Sequence, residues 1–190
     1  REGRLVGEFI GAGEWIPDLT VSDENLHASA FDYDGSLVVA GAVVKPFYNR
    51  WVDSGVIEGV TIYSPCTSDY TPLSIIVSTP YLIECEVSEP EDGMVTVTLP
   101  SFEVAGFVLV TADDALIESK RAECLAAADS LAHLAVPAAA MQLRESDEIL
   151  RHAGRGMPRE AIEALSASSR ALSDGRNADV IRHWRQALRT

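Results

Sequence analysis

Apolar and polar positions alternate along the first part of the chain and recur at helical spacing along the rest. Within residues 93–110 (GMVTVTLPSFEVAGFVLV), Met94, Val95, Val97 and Leu99 are interleaved with Thr96 and Thr98, and a second apolar run fills 102–110. Period-two patterning rich in β-branched residues predicts half-buried strands. Pro100 predicts a corner between them, and the second run then closes the sheet. From Asp113-Asp114 onward Ala, Leu, Arg and Glu recur at helical spacing to the end.

Taken in order, residues 1–30 carry a weaker pattern. Leu5-Val6 and Phe9-Ile10 lie among Gly3, Gly7, Gly11 and Gly13, which predicts short strands or a loop with glycine turns. Trp15-Ile16-Pro17-Asp18 reads as an extended or turn segment, because Pro17 pushes its predecessor out of helical space. Residues 26–31 (LHASAF) alternate as a strand, with His27 as a sheet residue. Tyr33-Asp34-Gly35-Ser36 then predicts a type I′ hairpin, whose two central residues need positive φ. The run 37–44 (LVVAGAVV) is continuously apolar and so expected to be covered on both faces, with a bulge or close backbone approach at Gly41. Further strands are expected at 56–63, 73–77 and 81–87. The total is about seven or eight short strands, the spacing of an antiparallel sandwich or barrel.

The helical part opens on Asp113-Asp114, which sit where an N-cap and first-turn acids are favoured. A first helix is expected to about residue 135, with Pro137 dividing it from a second over 138–153. Pro158 then opens a third helix, with Ile162, Leu165, Ser169 and Leu172 on one face and Gly175 as its C-cap. Asn177 is expected to cap a fourth, striped by Val180, Ile181, Trp184 and Leu188. Short connections between amphipathic helices predict a small bundle. The expected fold class is therefore α+β: an antiparallel β-sandwich over 1–112 followed by a bundle of about three or four helices over 113–190.

Charge separates the same two parts. The net charge is −14, and residues 1–112 hold four Lys/Arg against 17 Asp/Glu, whereas 113–190 hold 11 against 12. An acidic sheet half repels phosphate backbones, so no nucleic-acid partner is expected. No uninterrupted apolar run approaches the roughly 20 residues of a membrane span, so none is expected. The first residue is Arg1, so the sequence reads as a piece of something longer. No signal peptide is visible, and an export signal would have to lie upstream.

Candidate chemistry is sparse. Cys66, Cys85 and Cys124 lack ligand spacing, so no zinc site is expected and they read as small buried hydrophobes; a Cys66–Cys85 bridge requires export. No nucleophile elbow, metalloprotease motif, P-loop or dinucleotide fingerprint occurs, and His27, His133, His152 and His183 are scattered. Glu84 and Glu86 have the strand spacing of paired carboxylates, but a solvated strand face explains them in a chain this acidic. Asp32-x-Asp34-Gly35 lacks the distal Glu of a calcium loop and reads as the hairpin turn. No catalytic residue, metal or cofactor is therefore assigned. Tyr48, Trp51, Trp15 and Tyr70 offer flat aromatic faces suited to stacking on sugar rings and are the candidate carbohydrate-binding residues.

Three phrases, HASAFDYDGSLVVAGAVV, GVTIYSPCTSDYTPLSIIV and GMVTVTLPSFEVAGFVLV, resemble the C-terminal β-sandwich that follows the catalytic barrel in many glycoside hydrolases, such as the barrel-type β-galactosidases. The resemblance covers residues 26–111 and rests on strand order and hydrophobic pattern. It implies an accessory module whose partner is an upstream catalytic domain, with glycan as a further ligand. The catalytic acids of that family lie on the barrel, so no catalytic residue carries over. The alternative expectation is an interaction module that self-associates into a homo-oligomer through its helices.

Overall fold

A computed structural model of the chain describes residues 2–44, 56–65, 74–78, 82–83, 85–88, 91–103 and 105–189. The chain divides into two compact units, Arg1–Leu125 and Ala126–Thr190.

The first unit opens with helix α1 (Glu2–Ala12), followed by strands β1 (Glu14–Ile16), β2 (Thr20–Val21), β3 (Leu26–Tyr33), β4 (Ser36–Val43), β5 (Val56–Pro65), β6 (Ser74–Ser78), β7 (Glu86–Val87), β8 (Met94–Glu103) and β9 (Ala105–Thr111). One sheet has the order β1-β3-β4-β9-β6 and the other β2-β5-β8-β7. Every registered pair is antiparallel. Both sheets contribute to one core, which includes Ile16, Ala30, Leu37, Val39, Val60, Ile62, Val97, Leu99, Phe102, Val108 and Val110. The expected antiparallel sandwich with C-terminal helices is the observed fold.

The outer face of the five-stranded sheet is covered as well. Phe9 of α1 clusters there with Val38, Phe107, Leu109, Ile117 and Cys124. Burial on both faces is why 37–39 and 107–110 read as unbroken apolar runs. Gly41 is a close approach: a Cβ there would lie 3.3 Å from the Phe102 ring.

Two expectations in this unit are corrected. Residues 2–12 form a helix where strands or glycine turns were expected. Gly7 and Gly11 face open space, and the helix is held by Phe9, which is fully buried. Three glycines cost a helix roughly 1 kcal/mol each, an amount comparable to what one buried Phe returns. Gly13 ends the helix at a point where a Cβ would meet the Phe9 carbonyl oxygen at 2.5 Å. The second correction concerns Pro100. Strand β8 runs through it, with register passing from Glu58↔Ser101 to Val60↔Leu99 and leaving Gly59 opposite Pro100 without a registered pair. Proline lacks the N–H that a ladder pair needs, yet its φ suits a strand, so one lost pair does not turn the chain. The crossing between sheets falls instead between Glu103 and Ala105, and Phe102 belongs to β8.

Helix α2 (Asp114–His152) begins in the first unit and continues through the second, which also holds α3 (Arg159–Ser173) and α4 (Asn177–Arg189). The break expected at Pro137 is absent, and the proline lies inside α2. A proline removes one helical hydrogen bond and crowds the preceding turn. The alanine-rich neighbours present little side-chain bulk, and Ala132, Ala135 and Ala139 are buried on either side of it. In α3 the buried face is Ala161, Ala164, Ser168 and Ala171, offset by one position from the expected stripe. Ile162 is 52 % exposed. Small residues let helices approach closely, and the Ser168 hydroxyl donates to the Val180 carbonyl at 2.9 Å. Gly175, with φ 70°, follows α3 and donates its N–H to Leu172, as its sequence position predicts. Asn177 is the first residue of α4, and its Nδ2 donates to Asp129. Val180 and Ile181 are fully buried and Trp184 packs against the same cluster.

Candidate functional site

Polar side chains from three segments meet where the β3–β4 hairpin comes against the start of α2. Asp34 and Gly35 have φ of 49° and 75°, the positive pair that a type I′ turn requires. The Asp32 carboxylate accepts the Gly35 N–H at 3.0 Å and tightens the turn. Ser36 stands opposite Tyr33 on β3, and its neighbour Leu37 stands opposite Val110 on β9. That register brings Ser36 against Thr111, and the two buried hydroxyls bond at 2.8 Å across 75 residues of sequence. Thr111 Oγ1 also accepts the Asp113 N–H at 3.1 Å. Asp113 then caps α2, its Oδ1 accepting the N–H groups of Ala115 and Leu116 at 2.8 and 3.0 Å.

These residues form an open pocket of about 370 Å³ lined by Tyr33, Asp34, Ser36, Thr111, Asp113 and Leu116, among others. The Tyr33 ring stands edge-on to Phe9, with centroids 4.9 Å apart and planes at 86°, so its orientation is held by the core beneath α1. Phe9 is in turn overlain by the Lys120 ammonium, 5.0 Å from its centroid. Lys120 is 4 % exposed and pairs with Glu8 and Glu123. Burial pulls the Lys120 ammonium down, and the two carboxylates more than offset it, leaving the group above its ordinary value.

Of the aromatic residues expected to bind carbohydrate, Trp15 is on edge strand β1 and is 67 % exposed. It stands opposite Phe31, two residues from Tyr33 along β3, so alternation places Trp15, Phe31 and Tyr33 on one face of the sheet. Tyr48, Trp51 and Tyr70 lie outside the described residues, as do Glu84 and Cys66. Glu86 is exposed on β7. Cys85 is half-buried and Cys124 buried, and burial pushes the Cys85 thiol up to about 12. No group of three or more metal-ligating side chains occurs among the described residues. His133 and His152 are on α2 and His183 on α4, and none of them lines the pocket at the β3–β4 hairpin. His183 Nδ1 and Trp184 Nε1 are buried without a hydrogen-bond partner among the described residues.

Tyr33, Ser36 and Thr111 were missed as candidates. Each belongs to a local signal, the Asp-Gly turn or the cap at Asp113, and only the β4–β9 pairing brings the two signals together.

In the helical part, Leu134, Met141 and Ile149 of α2 are 59 %, 61 % and 71 % exposed. By length and composition α2 is apolar enough to cross a membrane, and 28 % of its apolar window is buried within the chain.

No protein-family model matches the chain. No curated protein matches it either. Several solved structures are similar to part of it, two of which illustrate the likeness. One is α-L-fucosidase isoenzyme 2 from Paenibacillus thiaminolyticus, with 16 % identity, a TM-score of 0.38, and coverage of 59 % of this chain and 17 % of that one. The other is a cycloisomaltooligosaccharide glucanotransferase from a Paenibacillus species complexed with cycloisomaltoheptaose, with 14 % identity, a TM-score of 0.33, and coverage of 49 % and 18 %. Both are carbohydrate-active enzymes, and this chain spans less than a fifth of the length of either.

Proposed function

We propose that this chain is a non-catalytic accessory module of a larger carbohydrate-active protein, in which the sandwich buttresses a catalytic barrel or positions glycan. The observation that carries the reading is where the three resembling phrases fall. They make up most of β3–β4, β5 with β6, and β8–β9, which include the central strands of both sheets. The resemblance therefore coincides with the fold's core. The exposed Trp15, beside Phe31 and Tyr33 on one sheet face, supports a glycan contact. Joining the chain to the catalytic domain proposed to precede it tests the buttressing role. The expected outcome is a higher unfolding temperature for that domain when joined. A domain that unfolds and turns over identically without this chain sinks the reading. Hydrolysis of aryl glycosides by this chain alone, lost in Glu86→Gln, sinks it as well.

A second reading is favoured by the exposed Leu134, Met141 and Ile149, since large apolar side chains on a helix surface are preferred contacts for another protein. In it the helices form an oligomerisation interface. Sedimentation that finds a monomer at all concentrations, unchanged by Leu134→Glu with Met141→Glu, removes this reading.

A further inference from the structure

We propose that the pocket between the β3–β4 hairpin and the start of α2 binds one sugar residue of a neutral glycan, with Tyr33 and Asp34 as its polar contacts. The inference deepens the glycan-positioning part of the accessory reading and rests on it. The pocket's volume of about 370 Å³ is that of a small-ligand site, and it lies wholly within the first unit.

Its lining decides the ligand's charge. A helix N-terminus ordinarily attracts anions, but here the free N–H groups of Ala115 and Leu116 are already taken by Asp113 Oδ1. Asp34 and Asp113 add two carboxylates to the lining, which repel a phosphate or carboxylate ligand. A bare metal ion is poorly served, because these two carboxylates are not joined by a third acidic, His or Cys ligand among the described residues. An organic cation would engage only the two carboxylates, whereas each lining group has a use for a neutral polyhydroxyl compound. Neither the Asp34 carboxylate nor the Tyr33 hydroxyl has a partner among the described residues. The carboxylate accepts from sugar hydroxyls, and the phenol donates to or accepts from another. Thr111 Oγ1 already accepts from Ser36 and from the Asp113 N–H, which leaves its own proton as a donor at the pocket floor. Leu116 supplies an apolar wall for the C–H face of the ring.

The site is preorganised on rigid elements. Tyr33 is braced by Phe9, Asp34 is fixed by the turn, and Thr111 ends β9, which is paired on both sides. Asp34→Asn keeps a residue that tolerates positive φ, and Tyr33→Phe keeps the ring against Phe9, so both variants preserve the fold while removing one polar contact each.

The test is NMR titration of the full 190-residue chain with methyl glycosides of the common neutral hexoses. The expected result is saturable amide shifts at Asp34, Gly35, Ser36, Thr111, Asp113 and Leu116. Asp34→Asn is expected to weaken binding roughly tenfold and Tyr33→Phe about threefold, the losses typical of a charged and a neutral hydrogen bond. Failure of the whole hexose panel to move these amides overturns the proposal, as does a response to Ca²⁺ or methylammonium alone. Sugar binding that persists in both variants but is lost in Trp15→Ala also overturns it, while leaving glycan positioning by the sandwich intact. Failure of the accessory role is read separately, from the stability of the joined catalytic domain.

Discussion

Among the described residues, most fully buried positions in the sandwich unit are Phe, Leu, Ile or Val, whereas in the helical unit most are Ala. Phe102, Phe107, Leu37, Ile62, Leu99 and Leu109 are among the largest buried side chains of the first unit. The helical cluster is built on Ala132, Ala135, Ala171 and Val180, with Val136, Leu172 and Trp184 at its margin. A buried Leu or Phe contributes roughly 1.5–3 kcal/mol, and an Ala only a fraction of that. The two units therefore solve one problem differently. The sandwich gains stability from apolar area, and the helices gain it from close approach, backed by surface ion pairs such as Arg176 with Asp174 and Asp179. The comparison also says where each is fragile: the sandwich to lost volume, the helices to added volume.

The largest expected effect is in the sandwich. Phe107→Ala removes a fully buried ring from the cluster beneath α1 and should cost about 3–5 kcal/mol, read from the midpoint of denaturant unfolding. A cost below 1 kcal/mol would show that α1 does not seal that face. Next is Ala171→Leu, which adds volume to a fully buried position on α3 and should cost about 1–3 kcal/mol. Its loss should appear in the helical signal while strand amides of the sandwich keep their exchange protection. If instead it is neutral, the helices are loosely packed and the proposed contrast fails.

Smaller again is Lys120→Met, which keeps the stem over Phe9 and deletes the charge. The pairing with Glu8 and Glu123 involves carboxylates that are 51 % and 46 % exposed, so a loss of about 1 kcal/mol is expected. A further effect depends on pH and appears only in alkaline solution. The folded-state values of Lys120 and Cys85 are both raised, so the stability linked to them is complete below their ordinary values and is lost as pH rises through the folded ones. For Cys85 the window runs from its ordinary 9.0 to about 12. Alkaline titration should therefore weaken the sandwich unit, and Cys85→Ala with Lys120→Met should flatten the profile. Cys85 should also alkylate far more slowly than a free thiol at pH 8, because thiolate is the reactive form.

The sequence by itself determined features whose causes are local. Alternation in 94–99, the Asp34-Gly35 turn, the Asp113 cap and the Gly175 stop each need only a few neighbouring residues and their φ preferences. All four stand in the structure. Tertiary structure decided the rest. Residues 2–12 have poor helix propensity, and burial of Phe9 in an outer-face cluster offsets a cost of comparable size from three glycines. Pro100 and Pro137 were expected to interrupt their segments, but ladder partners on either side of one and buried alanines on either side of the other keep both segments continuous. The candidate pocket belongs to the same class. Its two walls are 75 residues apart at Ser36 and Thr111, and strand pairing across that distance leaves no mark on either segment alone. Short-range preferences are written into each residue's own chemistry, whereas a site made by two distant segments exists only once the sheet has set their register.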